Sequence, residues 1–200
     1  MERATLHLKN ADPILAGIIE RVGPCQITLR EPTFETLARS IAFQQLSGKA
    51  ARTIFDRLRK AVGRRFTATA FLKLSQEELR ACGLSRQKIA SLTDLAEHVA
   101  RRQINFRKLT DLPDEEIVAL LSQVRGVGVW TAQMFLIFAL QRPNIMPLGD
   151  LGIRNAVRRA YGLSDLPDST ELAKLSKKWH PYCSVASWYL WRSLDGPAGI

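Results

Sequence analysis

Helix punctuation recurs along this chain at short intervals and leaves little room for any other secondary structure. Asp12 is placed to cap a helix that Pro13 opens and Gly23 ends, which predicts an element over about 13–22. Phe34, Leu37, Ile41 and Leu46 recur at helical spacing, and a further helix runs from about Ser47 to a stop at Gly63. Ser75 with Glu78 forms a capping box, and Gly83 ends that helix. Ser85 then caps a longer helix with the apolar stripe Ile89, Leu92, Leu95 and Val99. Pro113 and the acidic run Asp114, Glu115, Glu116 open another that reaches about Ser122, its acids toward the positive dipole end. Only Gln26–Glu31 alternates like a strand, and it has no partner. The expectation is an all-α chain of about ten short helices with no repeat and no long linker.

Charge narrows the partner. The 200 residues carry 29 Lys and Arg against 19 Asp and Glu, a net +10, which favours a polyanion. Nucleic acid leads, although an anionic membrane surface or solubility alone would account for the same charge. The first ten residues lack the apolar core and cleavage site of a leader, so a cytoplasmic protein is expected. The longest apolar stretch, Val127 to Leu140, is interrupted by Thr131 and Gln133 and falls short of the ~20 residues that span a bilayer, so it reads as a buried core helix. Cys25, Cys82 and Cys183 lie too far apart for a disulfide framework and are too few for a four-thiolate cluster. They read as buried or half-buried apolar residues.

Two places concentrate the chemistry. Between the helix ending near Ser122 and the apolar helix from Val129 lies Val124-Arg125-Gly126-Val127-Gly128, a turn whose glycines allow positive φ and close backbone approach. Opening a helix, it presents N–H groups beside a positive dipole, which suits a phosphate; a plain helix-helix turn would look the same. Asp150 follows Pro147 and Gly149 and precedes the helical pattern Ile153, Val157, Tyr161, which puts its carboxylate at a helix N-terminus, as a cap or something more.

The segment LSQVRGVGVWTA over residues 121–132 resembles the helix-hairpin-helix of base-excision DNA glycosylases, and MPLGDLGIR over 146–154 resembles the Gly/Pro-rich loop and catalytic aspartate of that superfamily. The likeness is closest to the 3-methyladenine DNA glycosylase II group and runs from the Gln-Gln-Leu-Ser segment at 44–47 to Trp191, in a compact form without the N-terminal β domain of larger members. It implies two lobes around a DNA-binding cleft, one over about 35–112 and the other over about 1–34 with 113–200, the latter holding the hairpin and the aspartate.

The resemblance also assigns roles. Asp150 would be the catalytic carboxylate, stabilising the positive charge that builds on the sugar as the N-glycosidic bond breaks. Trp130 stands where bifunctional members resemble one another in a lysine nucleophile, so the enzyme should be monofunctional, leaving an abasic site in an intact strand. Trp130 and Trp191 would line the pocket for the flipped base and attract cationic alkylated purines, with Met134 where some relatives have tyrosine. Leu46 would wedge into the duplex and Gln45 probe the gap, although Leu46 also fits a buried helix stripe. Hairpin carbonyls of Ser122, Val124 and Val127 would hold Na+ or K+, with no cofactor needed for the chemistry. Arg125, Gly126, Val127, Gly128 and Thr131 would meet the DNA backbone, joined by the basic residues Lys49, Arg52, Arg86 and Lys88, charges that could equally be a solvated face. His7, His98 and His180 have no catalytic context, and Trp179 and Trp188 read as core. The function implied is excision of 3-methyladenine and related alkylated purines from double-stranded DNA by a monomer; the rival is a helix-hairpin-helix module that binds damaged DNA without cleaving it.

Overall fold

The structure, a computed structural model, describes residues 1–195. Among them are twelve α-helices and no strand. They are α1 Glu2–Ala11, α2 Pro13–Val22, α3 Phe34–Phe43, α4 Gly48–Val62, α5 Ala68–Phe71, α6 Gln76–Ala81, α7 Arg86–Ala100, α8 Asp114–Leu121, α9 Val129–Phe138, α10 Leu151–Tyr161, α11 Ser169–Ser176 and α12 Cys183–Arg192. Single 3-10 turns lie at Leu109–Asp111 and Lys177–Trp179. The all-α expectation holds. Residues 26–31 form no strand, because a lone extended segment finds no ladder for its backbone groups; Ile27 packs instead on neighbouring core.

The chain divides into two compact units. One, the split unit, joins Met1–Leu29 to the chain from Leu136 onward; the other, the inserted unit, is Arg30–Phe135. The resemblance implies a first lobe over about 35–112 with the hairpin in the other. The structure counts the hairpin with α3, α4 and α7, for a physical reason: the Arg125 N–H donates to Asp94 Oδ2 at 2.7 Å, and Gly126 packs against Ser91, both partners on α7.

In the split unit, Leu8, Leu15, Ile18, Ile153, Val157, Leu172, Trp179, Cys183, Tyr189 and Leu190 form the core. Trp179 and Trp188 are buried in it, as expected. A buried charge organises this core. Asp12 is 0% exposed and caps α2 by accepting from the Ile14 and Leu15 N–H groups at 3.1 and 3.3 Å. It also accepts from Trp179 Nε1 at 2.8 Å and from the Tyr161 hydroxyl, and pairs with Lys178 Nζ at 3.0 Å. Burial alone would raise its pKa, but the donors from Tyr161, Trp179, Lys178 and Leu15 together hold it below the ordinary carboxylate value. Asp12 thereby ties the start of α2 to the last residue of α10.

In the inserted unit, Phe34, Phe55, Phe66 and Phe71 interlock, and Leu37, Ile41, Leu58, Leu92 and Leu95 complete the core. The predicted caps are in place: Ser75 with Glu78 as a reciprocal capping box, Ser85 on α7, and Gly63 after α4 at φ +93°. Two local expectations change. The stripe that included Leu46 stops at Phe43, because Gln45 turns the chain at φ +56° and releases Leu46 from the helix. The apolar helix α9 is not buried along its whole length: Ala132, Phe135, Leu136 and Ile137 are, whereas Val129 and Trp130 in its first turn stand exposed.

Candidate functional site

Asp150 is 7% exposed and is the N-cap of α10, its Oδ1 accepting from the Ile153 N–H at 2.8 Å. The same oxygen accepts from Trp191 Nε1 at 3.0 Å. The Trp191 indole stacks on Phe138, with ring centroids 5.9 Å apart, and that packing fixes the donor's direction. The start of the α10 dipole and two N–H groups thus converge on one carboxylate oxygen in a largely dehydrated place. Gly152 completes the arrangement. A Cβ there would lie 3.0 Å from Asp150 Oδ1 and 3.2 Å from Trp191 Cδ1, so a side chain at 152 would press on the carboxylate and the indole where they meet.

In the inserted unit, α3 ends on a turn that carries Gln44, Gln45 and Leu46 into α4. Leu46 is 39% exposed, an apolar side chain presented to solvent on a turn held by a strained residue. Beside it, Ser40, Phe43, Gln44, Gln45, Trp130, Thr131 and Met134 line a cavity of about 520 Å³. Trp130 is 48% exposed, and Met134 and Phe43 give the walls further apolar surface. A flat π-system can enter such a space and stack on the indole.

The hairpin follows α8. Gly126 has φ +78°, and a Cβ on it would fall 2.6 Å from Ser91 Oγ, so both its conformation and its packing require glycine. Gly128 has open space where its Cβ would be, so a ligand can approach its backbone. The first-turn N–H groups of α9 have no intrahelical acceptors and suit an anion. Arg125 is exposed on this turn.

The sequence-predicted residues thus fall into two sets. Asp150 and Trp191 meet in the split unit, while Gln45, Trp130, Thr131 and Met134 share a cavity in the inserted one. Lys49, Arg52 and Arg86 are exposed. Lys88, grouped with the phosphate contacts on sequence, turns inward. Its ammonium donates to the Gln44 carbonyl at 2.8 Å and to the Ala42 carbonyl, and burial lowers its pKa. Sequence reasoning gives Gln44 no role, although it opens the Gln-Gln-Leu-Ser segment, and misses Arg39, whose guanidinium lies 3.8 Å over the Phe43 ring. Arg39 carries no motif that would reveal it, and nothing local shows that the Gln44 side chain reaches Gly126 and Thr131.

A family model described as HhH-GPD superfamily base excision DNA repair protein matches residues 38–181. The chain belongs to this superfamily. Among its HhH-GPD relatives, DNA-3-methyladenine glycosylase 1 of Schizosaccharomyces pombe is 34% identical over 199 residues, covering 96% of this chain and 87% of the relative. The solved structure of the S. pombe 3-methyladenine DNA glycosylase in complex with abasic DNA superposes with a TM-score of 0.82 at 36% identity, covering 96% of each chain. A DNA-3-methyladenine glycosidase from Bacillus halodurans gives 0.85 at 32% identity, over 95% of this chain and 88% of that one. The HhH-GPD match spans the turn at 44–47, the hairpin and Asp150; Trp191 lies beyond it.

Proposed function

We propose that this HhH-GPD protein is a monofunctional DNA-3-methyladenine glycosylase that acts as a monomer on alkylated double-stranded DNA. The observation that carries the reading is the buried Asp150 carboxylate held by the Ile153 N–H and Trp191 Nε1. A negative charge fixed in advance and shielded from water lowers the barrier to a reaction that builds positive charge on deoxyribose, because nothing must reorganise when the charge appears. Asp150 also orients the water that completes hydrolysis. A purine methylated at a ring nitrogen is already cationic and leaves without a strong general acid, while its charge favours stacking on Trp130. Leu46 fills the gap that the flipped nucleotide leaves in the stack.

No lysine occupies the position of Trp130, so the protein releases a free base and leaves the strand intact. The hairpin carbonyls of Ser122, Val124 and Val127 suit a hard monovalent cation: the Val124 carbonyl, which accepts the Val127 N–H at 3.0 Å, keeps a second lone pair, and the Ser122 hydroxyl, a different oxygen of the same turn, is buried with no hydrogen-bond partner among the described residues. Na+ or K+ held there would supply positive charge for a DNA phosphate. The reading is tested by incubating the protein with methylated duplex DNA and measuring released bases and strand breaks. Release of 3-methyladenine, with breaks only after alkali, supports it; tight binding without release would make the protein a damage-binding module.

A further inference from the structure

Gln44 makes contacts that the catalytic reading does not use. Its backbone belongs to the turn that presents Gln45 and Leu46, but its side chain reaches the hairpin, far away in sequence. Nε2 donates to the Gly126 carbonyl at 2.9 Å and to Thr131 Oγ1 at 3.3 Å. Only an amide nitrogen satisfies a carbonyl acceptor, so the orientation of the amide is fixed by its partners. From the other side, Lys88 at the start of α7 holds the Gln44 and Ala42 carbonyls, the unsatisfied C-terminal groups of α3. The turn would otherwise have little to hold it: Gln45 sits at φ +56°, and Gln45, Leu46 and Ser47 are exposed. Gly126, which accepts the bond, is itself pinned by its positive φ and its contact with Ser91. Lys88, Gln44, Gly126 and Thr131 thus form one polar chain from α7 through the wedge turn to the hairpin and the first turn of α9.

We infer that Gln44 is a positioning residue that locks the Gln45-Leu46 turn to the hairpin, so that gripping the DNA backbone at Gly126–Gly128 sets the register in which Leu46 enters the duplex. This rests on the wedge and hairpin roles proposed above. It predicts a specific split: removing the tether spares the phosphate contacts and the carboxylate but lets the wedge wander, so DNA affinity holds while insertion falls.

The test uses Gln44→Met, which keeps the length and loses the donor, and Gln44→Glu, which turns a carboxylate toward the Gly126 carbonyl. The probe is a duplex carrying a tetrahydrofuran abasic-site analogue beside 2-aminopurine. No base is left to enter the cavity, so Gln44's position on the cavity wall has no bearing on the signal. Wild-type protein should change the 2-aminopurine fluorescence as the wedge disturbs its stacking. Both variants should lose most of that change, and single-turnover base release from methylated duplex should fall about tenfold, the scale of two lost hydrogen bonds. The Kd for the abasic duplex should stay within about twofold, far less than the rate effect. Lys88→Met, which cuts the tether from the other side, should give the same split. Three outcomes would overturn the inference: wild-type fluorescence amplitude in the variants, rate and affinity falling by the same factor, or melting points in all three variants lowered by more than about 5 °C, which would mark a role in stability alone. If wild-type protein released no base, the glycosylase reading would fail on its own, while the fluorescence would still decide the role of Gln44.

Discussion

Replacing Asp12 by alanine should cost about 3–5 kcal/mol of stability, a sum built from losses that the structure itemises. The Ile14 and Leu15 N–H groups lose their cap, worth about 1 kcal/mol. Trp179 Nε1, inside a residue that is 0% exposed, and the Tyr161 hydroxyl each lose an acceptor, and an orphaned buried donor costs about 1–2 kcal/mol. Lys178 adds nothing, because its side chain is 36% exposed and its ammonium returns to water. For a chain of this size the loss lowers the melting temperature by about 6–20 °C. Far-ultraviolet circular dichroism during a thermal ramp reads it directly. Asp12→Asn keeps the oxygen that caps α2 but puts an amide nitrogen where Trp179 and Tyr161 need an acceptor, and should fall between wild type and Asp12→Ala. A shift below about 3 °C for Asp12→Ala, or identical shifts for alanine and asparagine, would refute the view that these donors depend on one buried charge.

Three further outcomes follow from the same geometry. Because the Asp12 pKa is depressed in the fold, its stabilisation is complete above the ordinary carboxylate value of 3.8 and fades as pH falls through the folded value. Urea melts at descending pH should therefore show wild type losing stability below about pH 4 more steeply than Asp12→Asn does. Gly126→Ala forces a side chain into the left-handed region and against Ser91, and should destabilise by about 1–3 kcal/mol with weakened DNA binding; Ser91→Ala in the same chain relieves the contact and leaves the φ strain. Trp191→Phe preserves the stack on Phe138 and removes one donor from Asp150, so single-turnover excision should fall about 10- to 100-fold, the value of a hydrogen bond to a charged group, with DNA affinity nearly unchanged.

What could be read from the sequence was local. Caps such as Asp12, Ser75 and Ser85 announce themselves because their partners lie two or three residues away. The Asp168 and Glu171 capping box on α11 is a signal of the same local kind. α1 gave no such signal: its N-cap makes no side-chain hydrogen bond, and its buried Ala4 and Leu8 find their partners in α2 and α12. The turn at 44–47 was legible as a motif but not as a conformation, since only the left-handed Gln45 shows that Leu46 leaves the apolar stripe. Asp150 as a cap could be read from its neighbours, but its second donor, Trp191, comes from 41 residues away. Lys88 and Gln44 mark the limit of such reading. A basic residue at a helix start suggests a phosphate, and nothing in the chain's order indicates that its ammonium is used on α3 carbonyls instead.

The most direct test of the central claim compares wild type and Asp150→Asn on methylated duplex DNA, with single-turnover base release measured beside DNA affinity. Asparagine keeps the oxygen that caps α10 and removes the charge. The account predicts that release falls on the order of 10²- to 10³-fold or more while Kd stays within about twofold. Release by Asp150→Asn at close to the wild-type rate would contradict it, because a carboxylate with no part in the chemistry would then be a helix cap alone.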